Sequence, residues 1–154
     1  MSLSSGYAKL DRLLATLAGW VRPVFLLVIR LYWGWSFFQT GKGKLMNLDR
    51  TTAFFTDLNL PLPKLNAIVA SSFECAGGLL LLAGLGTRLV SVPLIFILIV
   101  AYVTADSEAV HAIFSDPDKF TSATPFLFLF ATVTIFAFGP GRFSLDALVF
   151  KKSA

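Results

Sequence analysis

Four apolar runs stand out along the chain, each bounded by polar residues, glycine or proline: Val21 to Thr40, Leu65 to Leu85, Leu89 to Ala105 and Thr121 to Phe138. Each is close to the ~20 residues that an α-helix rising 1.5 Å per residue needs to cross a hydrocarbon core. The stretch Phe126-Leu-Phe-Leu-Phe130 alternates as a strand would. A lone strand would leave its backbone unpaired in lipid, so a helix is expected there as well. Pro23 is expected in a first helical turn, where its missing N–H costs nothing. Gly84, Gly86 and Arg88 predict a tight turn between the second and third helices, and Gly139-Pro140-Gly141 the end of the fourth. The pattern therefore predicts an all-α fold: an integral membrane four-helix bundle forming a single domain over residues 1–154.

Two connections are long enough to carry structure. Asn47 to Leu60 reads as a short interfacial amphipathic helix between helices 1 and 2, with Asp49 as N-cap and Phe54, Phe55 and Leu58 as its apolar face. Pro61 and Pro63 stop it, and the segment is expected to cover one end of the bundle. Asp106 to Lys119 is acidic and closes at the Asp116-Pro117 turn.

Composition strengthens this picture. Of 154 residues, 56% are hydrophobic and only 14% charged, and the mean hydropathy is +0.75. A soluble domain needs more charge to cover its surface, so the lipid bilayer is the expected partner. The net charge of +4 does not point to nucleic acid, because Lys and Arg flank the apolar runs and form no basic stripe. Lys9, Arg12, Arg22, Arg88, Arg142, Lys151 and Lys152 would share one side, against Lys42, Lys44, Arg50, Lys64 and Lys119 on the other. That bias predicts both termini in the cytoplasm of a bacterial inner membrane protein. Met1 to Trp20 lacks the clean apolar core of a cleavable signal peptide. With one cysteine, Cys75, and one histidine, His111, no intrachain disulfide, cysteine metal cluster or bis-His haem is expected, and no metal site. Cys75 reads as a small packing residue, since apolar surroundings disfavour its thiolate.

Arg30 and Glu74 lie near the middle of their apolar runs, where a charge costs about 2.5–3.5 kcal/mol on insertion scales. Arg30 is nine positions before Gln39 and Glu74 nine after Leu65, or about 13–14 Å in each helix. Antiparallel packing of those ends predicts an Arg30–Glu74 ion pair inside the bundle. Around Glu74 the helical spacing collects Ala67, Ala70, Ser71 and Gly78, and around Arg30 it collects Gly34, so both charges lie on faces that admit a close neighbour. Such a pair can line a ligand pocket or merely fix helix register. Gln39, Lys44, Tyr102 and Asp106 are candidates for the mouth of that pocket. Lys44 can equally be a snorkelling lysine, and Tyr102 and Asp106 an aromatic-belt residue and a cap.

Several short motifs occur in an order that resembles the DoxX family of small four-helix membrane proteins. They are Arg30-Leu-Tyr-Trp-Gly34, then Gly41-Lys-Gly-Lys44-Leu45, then Leu60-Pro61 with Asn59 where the family usually has Gly. Glu74-Cys-Ala-Gly77-Gly78, running on to Gly84 and Thr87-Arg88, is followed at the end by Gly139-Pro-Gly141 and Ser144-Leu-Asp146. The resemblance spans about Leu26 to Leu148. It implies association with quinone-linked sulfur or thiol redox metabolism, as a subunit of a membrane oxidoreductase complex at most. No cofactor is expected to be held by the chain alone, so a redox role requires a bound quinone, a protein partner or a homo-oligomer. A small-molecule transporter and a membrane scaffold or assembly factor are the rival readings. Against the first, no internal repeat is seen in the sequence.

Overall fold

The computed structural model describes residues 3–149, and these are almost entirely helical: α1 (Leu3–Met46), α2 (Leu48–Asp57), α3 (Pro63–Ala83), α4 (Thr87–Thr104), α5 (Ser107–His111), α6 (Pro117–Ser122), α7 (Thr124–Phe138) and α8 (Leu145–Val149). α1, α3 and α4 are long and apolar enough to cross a membrane. α7 has 15 residues, about 22 Å of helix. It begins at Thr124 rather than Thr121 because Ala123 is extended before Pro125, which leaves Pro117–Ser122 as a separate turn of helix.

α3 lies at the centre, packed most extensively on α1 and also on α4 and α2, while α7 closes the bundle against α4 and α1. Phe37, Leu81, Leu94, Leu98 and Ile135 form the buried core, with Phe128 packed against it. Trp33 and Phe37 meet the Phe128 ring edge-on at 4.7 and 4.8 Å, the arrangement that aromatic quadrupoles favour. The outward faces are apolar: Val28, Leu31 and Trp35 on α1, Leu89, Phe96 and Val103 on α4, and Leu127, Phe130 and Val133 on α7. Apolar surface in this quantity on helices of spanning length is lipid-facing surface.

Two expectations are corrected. α1 does not begin near Val21 and end at Thr40; it runs for 44 residues, about 66 Å and twice the hydrocarbon thickness. Pro23 consequently sits inside a helix, not in a first turn. The amphipathic helix is present, but Asn47 occupies its N-cap position and Asp49 lies in its first turn. Asn59 has φ 54°, a left-handed conformation that Asn tolerates and Gly favours. This fits the glycine that the family resemblance implies at that position of the motif. The α3–α4 turn is as expected at Gly84, φ 69°, and Gly86, φ 57°, whereas Arg88, expected in the turn, lies in the first turn of α4.

Candidate functional site

Helix register decides which charges meet. Gly41 faces Ser71 and Cys75, Gly34 faces Gly78 and Leu82, and Gly78 faces Gly34 and Phe38. A Cβ on Gly41 would lie 2.7 Å from the Ser71 carbonyl oxygen, and one on Gly78 would lie 2.6 Å from that of Gly34. The two backbones can approach this closely only because these positions carry no side chain. In this register Arg30 stands opposite Gly84, and Glu74 opposite the Thr40–Gly41 level. The expected Arg30–Glu74 ion pair therefore does not form: α3 is displaced by about ten residues, roughly 15 Å, from the register that pairs them. The physical cause is the length of α1, which continues past Thr40 to Met46 and carries the loop with it.

Glu74 is instead paired with Lys44. The Lys44 ammonium donates to Oε1 at 2.7 Å and Oε2 at 2.8 Å, and the side chains are 33% and 6% exposed respectively. Lys44 lies in the last turn of α1, which extends just far enough to set its ammonium over the carboxylate. The pair lies in the wall of a cavity of about 540 Å³. Phe54 and Phe55 of α2 and Leu58 just after it, Ala70 and Phe73 of α3, and Pro93, Phe96 and Val100 of α4 supply much of the remaining lining, which is apolar almost throughout. An ammonium has three N–H groups, and two of them reach Glu74, so one remains to donate to a guest. A volume of this size suits a small organic ligand, and one charged pair in an apolar wall is the usual way to orient it.

Arg30 is 1% exposed and has a different environment. Its guanidinium donates to the carbonyls of Leu81 at 3.0 Å, Leu82 at 3.3 Å and Phe143 at 3.0 Å, and to that of Pro140. The first two lie in the last turn of α3, where the Leu81 carbonyl also accepts the capping Gly84 N–H at 3.1 Å and that of Leu82 receives no backbone donor among the described residues. Gly84 is required here both for its positive φ and because a Cβ would lie 2.6 Å from the guanidinium carbon. Asp146 completes this end of the bundle. Its Oδ1 accepts the Gly86 N–H at 2.7 Å and its Oδ2 the Thr87 N–H at 3.0 Å, while its own N–H donates to the Gly84 carbonyl at 2.9 Å. Burial pushes the Asp146 carboxyl up, but the Thr87 and Gly86 amides and the Arg30 charge outweigh it and hold it below the ordinary carboxylate range. Arg30, Gly84, Gly139-Pro-Gly141 and Ser144-Leu-Asp146 thus form one hydrogen-bonded assembly that ties α1, the α3–α4 turn and the closing loop together.

Of the expected pocket-mouth residues, only Lys44 lines the cavity. Gln39 is exposed on α1. Tyr102 is buried, donates to the Phe120 carbonyl and stacks on the Phe120 ring at 5.1 Å. Asp106 occupies the N-cap position of α5. The structure brings Lys44 and Glu74 together and leaves Arg30, Gln39, Tyr102 and Asp106 elsewhere. The α4 wall was not anticipated from sequence; Pro93, placed inside a helix, was its one available signal. Cys75 is a half-buried free thiol whose backbone abuts Gly41.

The DoxX family model matches residues 25–107. The Bacillus subtilis (strain 168) protein named "Putative oxidoreductase CatD" is 30% identical over 125 residues, covering 81% of this chain and 87% of that protein. "Inner membrane protein YphA" of Escherichia coli (strain K12) is 36% identical over 78 residues, or 51% of this chain and 56% of that protein, so this match spans about half of each. No solved structure matches. The chain belongs to the DoxX family and is a multi-pass protein of the bacterial inner membrane.

Proposed function

We propose that this DoxX-family protein binds a quinone in the cavity between α2, α3 and α4 and serves as the membrane component of a quinone-linked redox system. The observation that carries this reading is the Lys44–Glu74 pair in the wall of an otherwise apolar cavity of about 540 Å³. A quinone has the matching chemistry: an apolar ring and tail for Phe54, Phe55, Phe73 and Phe96, and a ring carbonyl to accept the free Lys44 N–H. On reduction the ring oxygens gain negative charge and then protons. An ammonium held beside a carboxylate would stabilise the first change and give one of the two protons, the other and its own replacement coming from water through the cavity mouth. A relative named as an oxidoreductase agrees with this role. Electrons would come from a partner protein, and sulfur or thiol compounds are the reductants suggested by the motif resemblance. With α8 and the Arg22 level of α1 at one end of the bundle and α2 at the other, the expected orientation puts α2 and the cavity on the periplasmic side.

A pure scaffold would leave its buried charges dry and closely packed, as Arg30 is. That Glu74 and Lys44 border open space favours a ligand. The test is titration of the purified protein with a short-chain ubiquinone, followed by thermal stabilisation in detergent. Wild type should show saturable stabilisation. Lys44→Met should weaken it about ten- to a hundredfold, the worth of one hydrogen bond to a charged group, and Ala70→Phe should remove it by filling the cavity. Equal responses from all three proteins would rule the site out.

A further inference from the structure

At the end of the bundle away from α2, a second cavity of about 370 Å³ opens between α1 and the loop that follows α7. Arg22 and Arg142 stand in its walls, with Pro23, Leu26, Phe138 and Gly19. The Arg22 guanidinium is held in place: it donates to the Phe138 carbonyl at 3.4 Å and lies 5.4 Å from the centre of the Phe138 ring. Arg88 is close by, donating to the Phe136 carbonyl at 3.2 Å and approaching Gly139. The ion pairs among the described residues are Lys44–Glu74 and Lys119–Glu108, so none of these three arginines is matched to a carboxylate. Asp146, on the adjoining helix, already accepts from the Gly86 and Thr87 amides.

The cavity continues into apolar surface. Val24, Phe25 and Val28 on α1 and Phe138 on α7 are about half exposed, and Trp20, 76% exposed, marks where a lipid–water boundary would fall. We propose that this cavity is a headgroup site for an anionic phospholipid, with Arg22 and Arg142 on its phosphodiester and its acyl chains running down the adjoining faces of α1 and α7. Planar guanidinium forks match phosphate oxygens in geometry as well as in charge. Basic pockets between helices at a membrane surface hold such headgroups for the same reason. A soluble phosphate would satisfy the arginines but leave the apolar continuation unused.

The test uses the full chain in phosphatidylcholine bilayers in which a rising fraction is replaced by dibrominated phosphatidylglycerol or dibrominated phosphatidylcholine, with tryptophan quenching as the readout. Wild type should prefer phosphatidylglycerol by about fivefold for each arginine engaged. The double substitution Arg22→Gln, Arg142→Gln should abolish the preference. Gly19→Leu keeps both charges, meets nothing within 4 Å of its new Cβ and adds bulk at a residue that lines the cavity, so it should abolish the preference too. Equal quenching by both lipids in wild type would overturn the proposal. So would a Gly19→Leu protein that keeps its full preference, since that would reduce the effect to diffuse surface charge. Loss of the preference when inorganic phosphate replaces chloride at constant ionic strength would assign the site to a soluble phosphate and overturn the lipid reading.

Discussion

Glu74 should be energetically coupled to Lys44 and independent of Arg30. At 2.7 and 2.8 Å the gross attraction between ammonium and carboxylate is about 6 kcal/mol at an effective dielectric of ~20. Desolvation of a carboxylate that is only 6% exposed, and ordering of a lysine that is 33% exposed, offset much of this. A coupling of about 1–3 kcal/mol should survive. Arg30 is displaced by roughly 15 Å along the bundle, beyond the 7–10 Å at which substitutions cease to interact, so the Arg30–Glu74 cycle should be additive within about 0.5 kcal/mol. The assay is reversible unfolding in mixed detergent of Lys44→Met, Glu74→Gln, Arg30→Met and the two doubles that contain Glu74→Gln. A coupling above about 1 kcal/mol between Arg30 and Glu74, or below about 0.3 kcal/mol between Lys44 and Glu74, would refute the register described above.

Further outcomes are expected. Arg30→Met should cost about 3–5 kcal/mol in the same unfolding assay, as breaking a buried charged network does, and Arg30→Lys should recover less than half of that because one ammonium cannot span four carbonyls. Gly41→Leu should lower the melting temperature far more than Gly43→Leu, since a Cβ at Gly41 enters the α3 backbone and one at Gly43 meets nothing within 4 Å. Single cysteines along α2 in a Cys75→Ala background should label slowly at Thr51, Phe55 and Leu58 and quickly at Arg50, Ala53 and Asp57; uniform labelling would show that α2 does not cover the cavity. Asp146 has its folded pKa below the ordinary range, so the stability it contributes is present above the unfolded value of about 3.9 and is lost as pH falls through the folded one. Melting curves from pH 7 to pH 3 should therefore show an acid loss below about pH 4 that Asp146→Asn diminishes.

Helices with lipid-facing exteriors were legible in the sequence because the bilayer enforces a simple rule: apolar length and polar punctuation. The α3–α4 turn and the stop after α7 were legible for a similarly local reason, as Gly84, Gly86 and Gly139 all have positive φ. The true extent of α1 was not. Lys9, Asp11, Arg12 and Lys42 look like boundaries when hydropathy is read, yet a helix continues freely into water where nothing breaks it. The end of α1 decides the site, since Arg30 is nine residues from Gln39 but the helix turns back only after Met46, seven residues further on. The small residues Gly34, Gly41 and Gly78 were recognisable as a packing face, but a face fixes rotation about the helix axis and says little about translation along it. Translation was set by which glycine meets which backbone.

The two charges in the middle of the apolar runs consequently have different work. An ionisable residue within a membrane span is a functional candidate because its burial must be compensated by something. For Arg30 the compensation is complete: four carbonyls surround it, one of them, Leu82, left without a backbone donor by the end of α3, and the residue is 1% exposed. That arrangement answers a structural need of the helix terminus as much as of the arginine, and it leaves no face for a guest. Glu74 is compensated by a single lysine that retains an unused N–H and borders open volume. Here the compensation is partial, which is what a binding site requires, since a fully satisfied network gains nothing from a ligand. The same distinction separates Asp146, held by two amides, from Arg22 and Arg142, which have cation chemistry to offer and, among the described residues, no carboxylate paired with it. Within this bundle, incomplete satisfaction of a charge beside a cavity, more than its depth in an apolar run, marks where a ligand can act.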